Sequence, residues 1–290
     1  MRVSDADLDA LRERGFMVVE GFLGPDEVAE ARSALWEEFP SPEAYFADPE
    51  AHARLQEHQF LGNRPGPWTP WALNRLAFHP DLVDAARRFL GSDELRLYKT
   101  ELWAKYSGGV DHEQARHRDF ANHSQVVPRS ADPATQMTSF LLLSDVDEGD
   151  GPTKVVPLPD GRDVPYWPPT LEAGDLEDRE FSITGPAGTL FSYRSDVLHR
   201  GSTMTGDRRA RFALLADYEV WGPRWTGKAA WANAAPSRSW VEMIERATPD
   251  ERALFGFPRP GDGYWDAQTL RDVALRYPAM DMTPYRDAAG

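Results

Sequence analysis

This 290-residue sequence predicts a mainly β fold with flanking helices, and three observations carry that reading. Between Leu95 and Tyr218, short runs rich in Val, Leu, Phe, Thr and Tyr alternate with Gly, Pro and Asp turns, the pattern of an antiparallel sandwich or barrel. Helical periodicity lies on both sides of that region. Hydrophobic residues make up 41% of the chain and are dispersed along it, enough to build a sizeable core.

Ser4 followed by Asp5, Ala6 and Asp7 marks a helix start, with Leu8 and Leu11 at helical spacing and Gly15 as the stop. Phe16 to Val19 reads as a short strand. Pro25-Asp26-Glu27 opens a second helix carrying Val28, Ala31, Ala34 and Leu35 on one face. From Pro40 to Trp71 the chain is rich in Pro, Gly, His and aromatics and reads as irregular surface or a lid. Pro80 to Leu90 is a further helix closed by Gly91. Strands follow at 95–98, 102–106, 140–143, 154–156, 181–183, 189–193 and 212–218. Beyond Trp221 the sequence returns to helix and Trp/Pro-rich coil. No repeat or break in composition divides the chain. The expectation is one domain over 1–290, with a β core at about 95–220, a helical part at 4–91 and an extension at 221–290.

The side-chain inventory narrows the chemistry. Acidic residues outnumber basic ones by 47 to 32, a net charge of −15, which disfavours nucleic acid and anionic lipid as partners. There is no Cys, so disulfides, thiolate metal sites and a Cys nucleophile are excluded. Any metal must be held by His, Asp or Glu. The charged opening segment lacks the apolar stretch of a signal peptide, and no apolar run approaches a membrane span; a soluble, cytoplasmic protein is expected.

A His-x-Asp triplet occurs twice. In His79-Pro80-Asp81 the proline and acid suit the first turn of a helix, which accounts for that copy. His117-Arg118-Asp119 lies in the strand region after Gly108-Gly109. In extended backbone, residues i and i+2 point the same way, so His117 and Asp119 can share one metal. His199, after the run 189–193, is the best third ligand. Two His and one carboxylate on one face of an ion form the facial triad of non-haem Fe(II) oxygenases. A surface His–Asp pair with a turn-capping His199 is the competing reading. Arg209 and Arg211 share parity with Ala213 and Leu215, so both would point inward, where a guanidinium calls for an anion such as a carboxylate. Arg208 and Arg209 equally suit a solvated turn, whereas Arg211 already lies in the strand.

Four segments in order resemble the phytanoyl-CoA dioxygenase family of Fe(II)- and 2-oxoglutarate-dependent oxygenases. They are Leu11 to Leu23 (helix, then Gly15-Phe16 and a strand), His117-Arg118-Asp119, the strand–acidic turn–strand stretch Leu141 to Pro157, and Gly188 to Leu214 containing His199-Arg200-Gly201-Ser202 and Arg209-Ala210-Arg211. The resemblance implies a double-stranded β-helix, the cupin-like jelly roll. It also implies Fe(II) held by His117, Asp119 and His199, with 2-oxoglutarate chelating the iron and its far carboxylate on an arginine early in the last core strand. The family's usual arginine falls between positions 209 and 211. Arg211 is the choice because Phe212, Ala213 and Leu214 follow it as the family's strand does; Arg209 is the fallback. Gln114, Lys105 and Ser202 match further cofactor-contacting positions.

The sequence departs from the family pattern at Pro157-Leu158-Pro159-Asp160, where a Pro-Gly-Ser-His turn is common, and at Thr203-Met204-Thr205, where an Asn is frequent. Asp119 fills the place that family halogenases leave to a small residue, which disfavours halogenation and favours hydroxylation, with desaturation or ring formation left open. The implied reaction consumes O2 and 2-oxoglutarate, releases succinate and CO2, and oxidises a C–H bond of a small, free or carrier-presented molecule, as in natural-product biosynthesis. Phe60 to Trp71 together with Trp221, Trp225 and Trp231 are expected to cover the substrate. Two other classes stay open at this point: a cupin-like metal enzyme without 2-oxoglutarate, and a non-catalytic jelly-roll binding protein.

Overall fold

The computed structural model describes residues 1–119, 134–165, 170–171, 176–220 and 237–288. The first helix, α1 (Asp5–Arg14), begins with a capping box. The Ser4 hydroxyl accepts from the Asp7 amide, and the Asp7 carboxylate accepts from the Ser4 amide. Gly15 stops it in the left-handed region at φ 85°, and a Cβ there would lie 2.4 Å from the Val197 side chain. Only glycine satisfies both constraints. The chain then enters β1 (Phe16–Val19), followed by α2 (Pro25–Leu35), α3 (Pro42–Ala47), β2 (Asn63–Pro65), α4 (Trp71–Leu76) and α5 (Pro80–Leu90). His79 is the N-cap of α5, its Nδ1 accepting from the Asp81 amide at 3.2 Å, so the first His-x-Asp triplet is indeed a helix start.

The long strand β3 (Leu95–Tyr106) precedes β4 (Arg116–His117), β5 (Gln136–Leu142), β6 (Thr153–Val156), β7 (Thr170–Leu171) and β8 (Phe181–Ile183). Then come β9 (Leu190–Arg194), β10 (Leu198–Gly201) and β11 (Ala210–Val220). Two antiparallel sheets result, one ordered β1-β9-β5-β11-β3-β2 and the other β7-β4-β10-β6-β8. This is the expected mainly β architecture of the cupin-like jelly roll. The runs 95–98 and 102–106 prove to be one strand, with Lys99, Thr100 and Glu101 paired to β11 in its middle. Charge in that stretch reads as a break, but the charged side chains face an interior cavity.

Alternation along the larger sheet divides its two faces. Leu102, Ala104, Leu141, Leu190, Phe212, Leu214 and Ala216 join a core with Leu8, Leu11, Leu35, Leu82 and Phe89 of the helices. The opposite parity (Trp103, Phe140, Leu142, Tyr193, Ala213, Leu215) faces the smaller sheet across a cavity. The C-terminal helices α6 (Arg238–Arg246), α7 (Pro249–Ala253), α8 (Ala267–Arg276) and α9 (Thr283–Ala288) add Trp240, Ile244 and Tyr285 to the helical core. Within 40–71, Trp68 is buried and Trp71 packs against that core, while Phe60 and Asn63 reach the cavity. Trp221, Trp225 and Trp231 lie outside the described residues. No described helix is long and apolar enough to cross a membrane.

Candidate active site

The smaller sheet places His117 directly opposite His199 in the β4–β10 register. Opposed residues of an antiparallel pair carry their side chains on one face, and the two imidazoles approach with centroids 4.4 Å apart. Two residues on, Asp119 returns to that face; its carboxylate oxygens lie 3.7 Å from His117 Nε2 and 3.6 Å from His199 Nε2. One ligand atom from each of the three falls within 4.8 Å of the others. Among the described residues this is the one such group of three donors.

Hydrogen bonds set each ligand's orientation. His117 Nδ1 donates to the Ala115 carbonyl at 3.0 Å and His199 Nδ1 to the Val197 carbonyl at 3.1 Å, leaving both Nε2 lone pairs for an ion. Burial pushes the His199 imidazole down to about 4, against the opposing pull of Asp119, so at neutral pH it is an uncharged ligand. The buried Tyr193 hydroxyl donates to Asp119 Oδ2 at 2.8 Å. Two imidazoles and a fixed carboxylate, all nitrogen and oxygen, fit a divalent iron with open positions.

The residues beside the ligands are anchored from behind. Arg116, almost wholly buried, donates from Nε to Glu180 Oε1 at 2.5 Å. Arg200 donates to both oxygens of the same carboxylate, at 2.8 Å each. One buried acid therefore ties β4 to β10 at the residues adjoining His117 and His199. Arg118 points away from the cavity and donates to the carbonyls of Asp196, Pro165 and Val164.

The triad opens on a cavity of about 620 Å³ between the sheets. Arg211 lines it too, with its Nη1 donating to the Gly151 carbonyl. Burial pushes this guanidinium down to about 10, with Asp111 and Asp150 offsetting part of the cost. A desolvated cation in the same cavity as a metal-ligand set is a ready partner for a carboxylate.

A family model for phytanoyl-CoA dioxygenase (PhyH) matches residues 11–212. The chain belongs to the phytanoyl-CoA dioxygenase family. It is thereby an enzyme of the non-haem iron, 2-oxoglutarate-dependent class. Its fold is similar to that of the non-haem α-ketoglutarate-dependent epimerase SnoN from nogalamycin biosynthesis. That likeness has a TM-score of 0.53 and 20% identity over 74% of this chain and 82% of the other. The carbocyclase SnoK of nogalamycin biosynthesis matches at TM-score 0.53 and 19% identity, over 75% and 84% of the two chains. HygX from Streptomyces hygroscopicus, solved with nickel and 2-oxoglutarate, matches at 0.54 and 15%, over 77% and 89%. No curated protein matches the sequence.

The remaining sequence-predicted positions of this family member divide into two groups. Gln114 lines the cavity, and its Oε1 accepts from the Gly201 amide at 2.8 Å. Lys105 and Ser202 lie outside the cavity lining and hold its frame. Lys105 Nζ donates to the Ser202 carbonyl and pairs with Asp111 at 2.6 Å, while the Ser202 hydroxyl donates to the Pro152 carbonyl. Arg209 does not point inward with Arg211. Its side chain is 46% exposed and pairs with Asp147 and Asp150. The alternation that would aim it inward fails because Arg208, at φ 50°, turns the chain just before β11 begins at Ala210. Sequence reasoning missed Tyr193 and the cavity residues Lys99, Glu101, Gln59 and His112. Period-2 alternation from Trp103 back through β3 was the available signal for Lys99 and Glu101.

Proposed function

We propose that this protein oxidises an unactivated C–H bond of a small molecule in natural-product biosynthesis, coupled to conversion of 2-oxoglutarate to succinate and CO2. Hydroxylation is the favoured outcome. The observation that carries this reading is that the His117–Asp119–His199 cluster and Arg211 line one cavity. Iron bound at the triad would supply the O2-dependent oxidation that decarboxylates 2-oxoglutarate and removes hydrogen from the substrate. His117, Asp119 and His199 hold the ion on one face and leave the cavity side for ligands. Tyr193 fixes one Asp119 oxygen, keeping the other for the metal. Arg211 receives the far carboxylate of 2-oxoglutarate; Lys105, Ser202 and Gln114 hold the strand ends around it. Phe140, Leu142, Ile183, Phe191 and Leu215 keep bulk water from the reacting carbon. The C-terminal helices share a core with the larger sheet, which supports a single oxygenase domain over 1–290.

Anaerobic addition of Fe(II) and 2-oxoglutarate tests the reading. A visible charge-transfer band is expected with the wild type and not with His199→Ala; its absence from the wild type overturns the proposal. Epimerisation and ring formation, the activities of SnoN and SnoK, are the alternative outcomes to be told apart. Product mass separates them: hydroxylation adds one oxygen, ring closure removes two hydrogens, and epimerisation changes nothing.

A further inference from the structure

Lys99, Glu101 and Trp103 follow at every second residue on the cavity face of β3, in the cavity that holds the metal-ligand cluster. The Lys99 and Glu101 side chains are each 10% exposed, with Nζ 3.7 Å from Glu101 Oε2. Asn63, opposite Trp103 in the β2–β3 register, donates from Nδ2 to the same Oε2 at 3.3 Å. The Trp103 indole N–H is buried with no hydrogen-bond partner, and its ring meets Phe60 edge to face at 6.1 Å. Neighbouring cavity positions are Phe140, Leu142, Phe191 and Leu215.

This patch is expensive to maintain. A buried ion pair costs about as much as it returns compared with well-packed apolar residues, and a buried donor without a partner costs ~1–3 kcal/mol. Stability alone would favour apolar side chains there, as on the adjacent wall. A few convergent polar groups in an otherwise apolar cavity are the usual means of fixing a ligand's orientation.

We propose that Glu101, Asn63 and Trp103 form the substrate-recognition subsite, and that the substrate presents a neutral, saturated ring bearing adjacent hydroxyl groups. This assignment rests on the oxygenase reading, since the ring must lie beside the metal ligands for its C–H bond to react. Lys99 compensates the Glu101 charge, so the patch has no net charge with which to recruit an ion. A hydroxyl donates and accepts at once. One can donate to Glu101 and accept from the Trp103 indole, while its neighbour bonds the Asn63 amide. The C–H face of a saturated ring packs against aromatic carbon, which Phe60 and Trp103 supply together. An acyl chain would leave the Trp103 indole N–H without an acceptor.

Ligand-observed NMR on the full chain, without iron, tests binding separately from chemistry. The probes are methyl pyranosides and inositols, set against octanoate and lysine. Binding by hydroxylated rings is expected, weakened by about 10–100-fold in Glu101→Gln and in Trp103→Phe. The charge-transfer band formed with Fe(II) and 2-oxoglutarate should persist in both variants, which also shows that they fold. Preference for octanoate or lysine, failure of every hydroxylated ring to bind, or unchanged binding in both variants overturns the subsite. Absence of the band from the wild type instead overturns the oxygenase reading and leaves the binding result standing on its own.

Discussion

Arg211 and Arg209 are two residues apart and have opposite fates, which makes them a sharp test at the level of single side chains. Arg211 is desolvated in the cavity wall; Arg209 sits outside on Asp147 and Asp150. Losing a buried charge partner costs about 2–5 kcal/mol, whereas an exposed pair contributes about 0–1 kcal/mol. Arg211→Gln should therefore raise the 2-oxoglutarate concentration for half-maximal turnover by roughly 30-fold or more. Arg209→Gln should move it less than about 5-fold. Titration of 2-oxoglutarate against succinate release reads both. Tyr193→Phe keeps the ring and removes the hydroxyl that restrains Asp119. A fall of about 10–100-fold in Fe(II) affinity is expected, measured by calorimetry under anaerobic conditions.

Between single side chains and the whole fold stand the paired strands, and here the Glu180 carboxylate is the decisive joint. It accepts from Arg116 and Arg200, each next to a metal ligand on a different strand. Glu180→Gln removes the buried anion that Arg116 and Arg200 share and leaves them only the more exposed Glu177 and Glu113, so stability should fall. If the carboxylate also sets the spacing of His117 and His199, Fe(II) affinity should drop by about 10-fold or more at a temperature where the variant is fully folded. A purely structural role predicts a lower Tm with unchanged affinity. The same scale shows what the sequence could convey. Helix ends were legible because Ser4, Gly15, Pro80 and Gly91 satisfy local geometry by themselves. The triad was legible because strand alternation joins His117 to Asp119, and family order supplied His199. β4 and β7 have two residues each, too few for any period, and are defined only by their partners. Lys99 and Glu101 concealed the continuity of β3, because a charged residue facing an internal cavity cannot be told locally from one facing water. Arg209 eluded the parity argument because the turn at Arg208 lies between it and the strand.

For the molecule as a whole, the helices and the larger sheet share one core, and the contact between the N-terminus, α2 and α5 responds to acid. Partial burial would raise the Glu27 carboxyl, but Arg2, the Gly24 amide and His79 hold it at about 2. Burial, reinforced by Arg2, lowers His79, against the opposing pull of Glu27 and Asp81. Both groups are depressed in the folded state, so each contributes stability above its unfolded value and loses it on acidification. For His79 the loss begins below about pH 6.5, and for Glu27 it runs from about 4.3 down to about 2. The Tm advantage of the wild type over Glu27→Gln should thus shrink steadily between pH 5 and about 2. In the core behind the site, Phe212→Ala should cost about 3–5 kcal/mol in denaturant unfolding. Its neighbours in sequence, Arg211 and Ala213, face the cavity instead. That alternation keeps two histories separable within one strand. Ala213 and Leu215, on the cavity side of β11, can drift toward new substrates while Arg211 keeps its cofactor and the even-numbered positions hold the fold. A lineage built on such a sheet can change its chemistry one residue at a time without passing through an unfolded ancestor.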